Sequence, residues 1–190
     1  VGGATVTLKE IAKAYQPPAG TSFTYPPFAE GDEIKLQASG GDYAQFELST
    51  PAVDPIHLTT TDFALETGKA FALTWDAAKA PKASQIYVKF DISHHGGIRG
   101  MIECTTDDDG ELTVSADLMS ELIGLGVAGF PSVVVMRQSI DTVQIAPGRV
   151  RLEVSSRVER YVSIAGLESC TIDEDCADGK TCRTTDSTCQ

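Results

Sequence analysis

The residues with the clearest chemical signature are cysteines near the C-terminus. Four of the five cysteines fall within the last 21 residues, at Cys170, Cys176, Cys182 and Cys189. An even number of closely spaced cysteines, in a segment too short for a hydrophobic core, is typical of disulfides formed in an oxidising compartment. A zinc site would more often show paired C-x2-C spacings, whereas these cysteines are separated by five, five and six residues. We therefore predict two disulfides, with all three pairings open.

A run of carboxylates marks a second candidate site, for calcium. Asp107, Asp108 and Asp109 precede Gly110 on a predicted turn, and calcium binds hard oxygen ligands of this kind. The strict EF-hand pattern fails, because Thr105 occupies the first ligand position and the twelfth is an alanine. We favour a solvated acidic turn, and a calcium site at these three aspartates is the alternative. Calcium at these three aspartates is the only cofactor that the sequence suggests.

Residues for nucleophilic catalysis are sparse. The sequence lacks the G-x-S-x-G turn that exposes a serine nucleophile in hydrolases. Cys104 alternates with Ile102 on a predicted strand, where a small thiol usually packs in the core. His94 and His95 lie in a predicted loop, and adjacent histidines on an extended chain point to opposite sides, which disfavours a shared metal. We therefore predict no catalytic residue, and a hydrolase with two catalytic carboxylates is the competing class.

Aromatic residues offer a surface for stacking on sugar rings. Residues 25–28 read Tyr-Pro-Pro-Phe, and the prolines hold this segment extended and away from a central strand. Tyr25 and Phe28 are therefore expected to be displayed, and they are the candidate ligand-binding surface. Loops of this kind often cap the end of a sandwich, and we favour that interpretation over a binding role. Trp75, the single tryptophan, shares a predicted strand face with other large apolar residues and is expected in the core.

Most of these candidate residues lie on or between predicted short strands. Residues 86–92 alternate apolar and polar side chains, and residues 150–154 do the same, as half-buried strands do. Residues 132–136 form a continuous, mostly β-branched run, typical of a strand covered on both faces. The dipeptides Asp109-Gly110 and Pro147-Gly148 each separate two strand candidates and therefore predict hairpin turns.

One helix is predicted after the acidic turn, with Ser115 as its N-cap. The side chains expected to face the core are Leu118, Leu122 and Ile123. Near the N-terminus, residues 7–15 also have helical spacing. Residues 5–8 alternate like an edge strand, however, and we favour a strand there.

Together these elements predict a mainly β fold. Several short antiparallel strands with turns between them indicate a β-sandwich, either immunoglobulin-like or jelly-roll, with one short helix. The alternation of strands and long helices that marks a parallel nucleotide-binding sheet is missing. We expect a sandwich domain over residues 1–166 and a disulfide-stapled tail over residues 167–190.

Charge and hydropathy exclude some classes of partner. The net charge is −12, and nucleic acids and anionic membranes are bound through clusters of lysine and arginine, which the sequence does not show. No apolar run approaches the roughly 18 residues that a membrane-spanning helix needs. Because the chain starts at Val1 rather than at methionine, we expect a mature or trimmed product from which any signal peptide or lipid-anchor cysteine has been removed.

The tail carries a family resemblance. Residues 170–182, in which an Asp-Cys step is followed by a glycine and another cysteine, resemble the short cysteine-rich segments of exported proteins in myxobacteria-like bacteria. Residues 73–75 and 102–110 of the main domain are similar to secreted or lipoprotein β-sandwich domains of the same bacteria. The resemblance implies a secreted or cell-surface location, with an outer-membrane lipoprotein as one form of it. It implies no activity.

These observations favour a non-catalytic extracellular or cell-surface module with a structural or protein-assembly role. Its partner would be an extracellular protein or a polysaccharide, and exposed sheet edges make self-association a further expectation. Among binding functions, the alternative is a carbohydrate-binding module that uses Tyr25 and Phe28. A carboxylate-dependent hydrolase would instead need a cleft that holds two carboxylates of raised pKa.

Overall fold

A computed structural model describes residues 5–79 and 83–190 of the chain. Within these two segments the protein is mainly β, as predicted, with one α-helix. The strands before the helix are β1 (Lys9–Ile11), β2 (Ala14–Gln16), β3 (Glu33–Ala38), β4 (Phe46–Pro51), β5 (Ala64–Leu65), β6 (Phe71–Thr74), β7 (Gln85–Asp91), β8 (Met101–Asp107) and β9 (Glu111–Val114). The helix α1 (Ala116–Gly124) is followed by β10 (Ser132–Ile145), β11 (Gly148–Tyr161), β12 (Ser163–Ile164), β13 (Cys182–Arg183) and β14 (Thr188–Cys189).

One layer of the sandwich is a four-stranded antiparallel sheet in the order β11-β10-β7-β8. The alternation predicted for β7 holds, since Ile86, Val88 and Phe90 are fully buried on its inner face. β10 is longer than the predicted apolar run, and it pairs with β7 over half its length and with β11 over all of it. The hairpin predicted at Pro147-Gly148 is confirmed, because this turn joins β10 to β11.

The opposite layer is built from two-stranded pairs, which are β6–β9, β3–β4 and the parallel pair β5–β12. Phe71, Leu73 and Trp75 point from this layer into the core. The ring of Phe71 meets that of Phe90 edge-on, with 5.5 Å between the ring centroids. The sheets are open, and the predicted antiparallel sandwich, with Trp75 in its core, is confirmed.

The turn at Asp109-Gly110 connects the two layers and is not the predicted hairpin. β8 pairs with β7, whereas β9 pairs with β6 on the other side of the core. Gly110 has a positive φ of 103°, and its carbonyl accepts a hydrogen bond from Trp75 N at 3.0 Å. The chain changes sheets here because β9 pairs with β6. Turn rules do not predict this pairing, because they consider only residues that are neighbours in the sequence.

The helix begins where the sequence predicts. Ser115 Oγ accepts a hydrogen bond from Leu118 N at 3.3 Å and caps the first turn. The buried side chains are Met119 and Leu122, whereas Leu118 is 40% exposed. The prediction that Leu118 faces the core is therefore wrong, because the neighbouring methionine takes that position. The described part of the chain contains no helix that is long and apolar enough to cross a bilayer.

Near the N-terminus the chain forms a hairpin rather than a strand over residues 5–8. β1 and β2 pair around Ala12 and Lys13, whose φ values of 51° and 65° are typical of the mirror-image turns found in hairpins. Every residue of both strands is exposed. The helical spacing of this segment does not decide its structure, because its apolar side chains have no core surface to pack on.

Candidate functional site

Asp108, in the middle of the predicted calcium turn, is buried and hydrogen-bonded by other side chains. Its Oδ1 accepts from Trp75 Nε1 at 2.9 Å and from Arg137 Nη2 at 3.0 Å. Its Oδ2 accepts from Arg137 Nε and from Ser84 Oγ, each at 2.6 Å. Burial acts to raise the pKa of Asp108, but the hydrogen bonds from Arg137, Ser84 and Trp75 outweigh it and hold the pKa below its ordinary value. The carboxylate is therefore ionised and engaged within the protein.

Arg137 decides the role of this aspartate and is itself buried. Its remaining donors reach backbone carbonyls: Nη1 donates to Pro55 O at 3.2 Å, and Nη2 donates to Asp76 O. Because Arg137 belongs to β10 and Trp75 follows β6, the cluster joins the two layers of the sandwich. Sequence reasoning missed this arginine, although the alternation of β10 already places it on the inner face of the sheet.

The three predicted calcium ligands are not brought together. Asp107 and Asp109 are exposed, whereas Asp108 points inward. Asp108 is not free to bind a cation, because the guanidinium of Arg137 occupies both of its oxygens. Calcium bound by the two outer aspartates alone stays a prediction.

The candidate nucleophile and the histidines have different surroundings. Cys104 is a free, half-buried thiol on β8, opposite Val88. Burial raises the pKa of this thiol, which disfavours the thiolate needed for nucleophilic attack. His94 and His95 contact each other with 4.1 Å between ring centroids, so the expected divergence of the two rings is wrong. The reason is local, since His95 has a positive φ of 62° and the chain is not extended there.

The C-terminal tail contains the two predicted disulfides. Cys170 pairs with Cys182 and Cys176 pairs with Cys189, which resolves the connectivity that the sequence leaves open. The sulfurs of Cys170, Cys176 and Cys189 lie within 4.8 Å of one another. As members of disulfides they are not the thiolates that bind metals, so this sulfur cluster is structural.

The tail packs on the sandwich through Asp186. Its carbonyl accepts a hydrogen bond from Gly129 N at 2.7 Å, and Ser169 Oγ donates to Gly129 O beside it. Asp186 is 5% exposed, and its carboxylate accepts from Arg183 Nε at 2.7 Å and lies 3.8 Å from Arg99 Nη2. The hydrogen bond from Arg183 holds the pKa of Asp186 below its ordinary value. The tail is thus anchored to the domain by a buried, charged group.

The N-terminal arm, defined as residues 5–28, is the most exposed part of the described chain. None of its residues is buried. Its exposed large apolar side chains are Leu8, Ile11, Tyr15, Phe23 and Tyr25. Tyr25 is displayed as predicted, at 78% exposure, whereas Phe28 at the end of the arm is half-buried. The backbone hydrogen bonds described for the arm are internal: the β1–β2 ladder and a bond from Thr21 N to Pro18 O.

The four-stranded sheet ends in two edge strands, β11 and β8, among the strands that the structure describes. β11 is 14 residues long and carries four arginines, at positions 149, 151, 157 and 160. Charged side chains of this kind protect an edge from pairing with another strand. β8 is 7 residues long and carries Glu103 and Asp107, both exposed. β8 is therefore the shorter and less heavily charged edge.

Comparison of the chain with protein-family models, with curated proteins and with solved structures finds no match in any of the three. No residue role is therefore transferred from a relative. The roles assigned below rest on the contacts, charges and exposure of this chain.

Proposed function

We propose that this protein is a non-catalytic extracellular module that assembles with further copies of itself, the N-terminal arm of one copy adding to the β8 edge of the next. The exposed arm carries the proposal. Its large apolar side chains are concentrated in one short segment, which marks an interaction surface rather than the scattered exposure of ordinary proteins. Among the described strands, β1 and β2 form a two-stranded sheet with no third strand, and such a hairpin gains stability when it joins a larger sheet.

Charge favours β8 as the receiving edge. The arm carries Lys9, Glu10 and Lys13, a net positive charge, and β8 carries Glu103 and Asp107. On β11 two of the four arginines are paired with glutamates of the same strand, and the other two leave a net positive charge that would repel the lysines of the arm. An added strand satisfies the free backbone groups of an edge, and opposite charges on neighbouring strands contribute about 0.2–1 kcal/mol per pair. Because the arm and the edge are different surfaces of one chain, the contact is head-to-tail and propagates into rings or filaments.

An extracellular setting fits this role. Disulfides such as the two in the tail form and persist in oxidising compartments. The resemblance of the tail to segments of exported bacterial proteins supports a secreted or cell-surface location. A net charge of −12 keeps such a protein soluble outside the cell.

The hydrolase alternative receives less support. A carboxyl group that acts as a general acid at neutral pH needs a raised pKa. Within residues 5–79 and 83–190, the carboxyl groups whose pKa departs from its ordinary value all depart downward: Glu33, Asp108, Glu159, Glu168, Asp175 and Asp186. Hydrogen-bond donors contact each of them, so these groups serve as structural acceptors.

Sedimentation velocity over a series of protein concentrations tests the assembly. We expect the wild-type chain to form larger species as its concentration rises, and the double variant Ile11→Ser/Tyr15→Ser to remain a monomer. Leu118→Ser is the matched control, because it removes an apolar side chain of similar exposure from the helix and should assemble normally. A wild-type chain that stays monomeric throughout would overturn the proposal.

A charge exchange then identifies the receiving edge. The double variant Lys9→Glu/Lys13→Glu should lose assembly, because its arm would repel β8. Asp107→Lys should weaken assembly for the same reason. A mixture of the two variants should associate again, because one supplies a native arm and the other a native edge. A mixture that stays monomeric would show that β8 is not the edge that receives the arm.

A further inference from the structure

The outward face of the four-stranded sheet holds a groove that the proposed assembly does not use. The alternation that sends the apolar side chains of β7 into the core sends Gln85 and Tyr87 to the opposite face. The strand register then places Met136 and Gln138 of β10 beside them, and Thr105 of β8 on the other side of Tyr87. These side chains therefore share one surface that faces away from the core.

The groove has a volume of about 490 Å³, which lies in the range of small-ligand sites. All four strands of the sheet contribute to its lining. The lining residues on which the inference depends are Gln85, Tyr87, Gln138, Ile140, Arg151 and Glu153. The groove is thus a continuous surface across the sheet and does not belong to one loop.

Gln138 is the feature that points to a ligand. Its side chain lines the groove and is only 4% exposed. Its Oε1 is a buried side-chain oxygen that accepts no hydrogen bond from residues 5–79 or 83–190. Leaving a buried carbonyl unpaired costs about 1–3 kcal/mol, and native proteins rarely do so without a reason. A ligand group that donates a hydrogen bond to this oxygen would remove the penalty.

The charges in the lining of the groove cancel. Arg151 Nη2 lies 2.6 Å from Glu153 Oε2, so the two side chains neutralise each other. The hydroxyl of Tyr87 donates to Glu103, and burial together with this bond raises the pKa of Tyr87 to about 12. The phenol is therefore neutral. A charged ligand would have to break the Arg151–Glu153 pair, whereas a neutral one would not.

We propose that this groove binds a neutral, hydroxyl-rich ligand, a segment of polysaccharide, with Gln138 Oε1 accepting a hydrogen bond from a ligand hydroxyl. The amide of Gln85 and the hydroxyl of Thr105 both donate and accept, as sugar hydroxyls do. Tyr87, Met136 and Ile140 supply apolar surface for the C–H face of a sugar ring.

A peptide fits this surface less well than a sugar chain. An extended peptide gains its affinity by pairing with the free backbone groups of a strand edge. The groove lies on the face of the sheet, where the backbone groups of β7 and β10 are already paired with neighbouring strands. The site is also separate from Tyr25 and Phe28, which belong to the N-terminal arm and its end.

Isothermal titration calorimetry on the full chain tests this site, with a panel of neutral oligosaccharides and a second panel that contains uronates. We expect a neutral oligosaccharide to bind the wild type, and Gln138→Met to lower that affinity about fivefold to tenfold. The same variant should unfold at an equal or higher temperature, because it removes an unpaired buried oxygen. Gln144→Met is the matched control, since Gln144 lies on the same strand beyond the groove and should bind normally.

Each possible result of the calorimetry either supports or overturns the proposed site. If Gln138→Met unfolds at a lower temperature, Tyr87→Leu replaces it as the test variant, and we expect a similar loss of affinity. Binding of uronates alone, binding that neither variant weakens, or no binding to the neutral panel would each overturn the site. The arm variant Ile11→Ser/Tyr15→Ser should bind the oligosaccharide as the wild type does. Calorimetry therefore tests ligand binding in the groove independently of self-assembly through the arm.

Discussion

Arg137 and Asp108 meet inside the sandwich through two parallel hydrogen bonds, 2.6 Å from Nε to Oδ2 and 3.0 Å from Nη2 to Oδ1. The two side chains are 3% and 0% exposed. Bidentate pairs of this kind are strong and directional. Arg137 lies on β10 and Asp108 leads into β9 of the opposite layer. The pair therefore joins the two layers at the point where the chain changes sheets.

Removal of one charge from this pair should destabilise the fold. Asp108→Asn leaves the guanidinium of Arg137 buried without its counter-charge, and we expect a loss of about 3–5 kcal/mol in the free energy of unfolding. Urea denaturation followed by tryptophan fluorescence measures the change. Asp109→Asn, at the exposed neighbouring position, is the control and should stay within about 0.5 kcal/mol of the wild type. Equal stability of the two variants would contradict a structural role for the pair.

The same carboxylate predicts how stability depends on pH. The folded-state pKa of Asp108 is lowered, so its stabilising contribution is complete above the unfolded value of about 3.9 and is lost as the pH falls through the folded value. Asp186, whose pKa is lowered by Arg183, acts in the same direction. We expect the urea midpoint of the wild type to fall steeply below about pH 4. The curve of Asp108→Asn should be flatter there, and parallel curves would argue against this assignment.

Gly129 should tolerate no side chain, in contrast to another glycine of similar backbone conformation. Both Gly129 and Gly179 have a positive φ, of 60° and 74°. A Cβ at Gly129 would lie under 3.0 Å from the backbone of His94 and Gly96, whereas a Cβ at Gly179 would meet no described atom within 4 Å apart from its chain neighbours. We expect Gly179→Ala to cost about 1–2 kcal/mol from backbone strain alone. Gly129→Ala should cost clearly more, and thermal unfolding of the two variants compares them.

The tail makes a prediction for mass spectrometry. With two disulfides and Cys104 free, the intact mass without reductant should fall short of the reduced mass by four hydrogens. Proteolysis without reductant should release peptides that join Cys170 to Cys182 and Cys176 to Cys189. Each closed loop is short, so each disulfide should contribute about 3 kcal/mol to the stability of the tail. An unreduced mass equal to the reduced mass, or any other pairing of the four cysteines, would contradict the fold of this segment.

Much of the local structure could be predicted from the sequence. The alternation of residues 86–92 correctly predicts the buried face of β7, and the turn at Pro147-Gly148 correctly predicts the hairpin of β10 and β11. The cap at Ser115 correctly predicts where the helix begins. These predictions hold because strand alternation, tight turns and helix caps depend on residues a few positions apart.

The predictions that fail depend on partners far along the chain. The turn at Asp109-Gly110 has hairpin chemistry, yet β9 pairs with β6 instead of β8. Asp108 has the chemistry of a calcium ligand, yet its oxygens are occupied by Arg137, 29 residues away. Local sequence rules do not predict such pairings, because they depend on the order and register of strands in the folded sheets.

Composition, strand alternation and cysteine spacing are properties of the sequence alone, and they are enough to predict an acidic, mainly β protein with a disulfide-stapled tail. Folding, in contrast, buries Asp108 as a structural group and leaves the arm exposed. It also places Gln138 in a groove, with an oxygen that no described residue pairs. The physical reason is that burial and hydrogen bonding belong to pairs of residues brought together by folding, whereas a sequence pattern describes each segment alone.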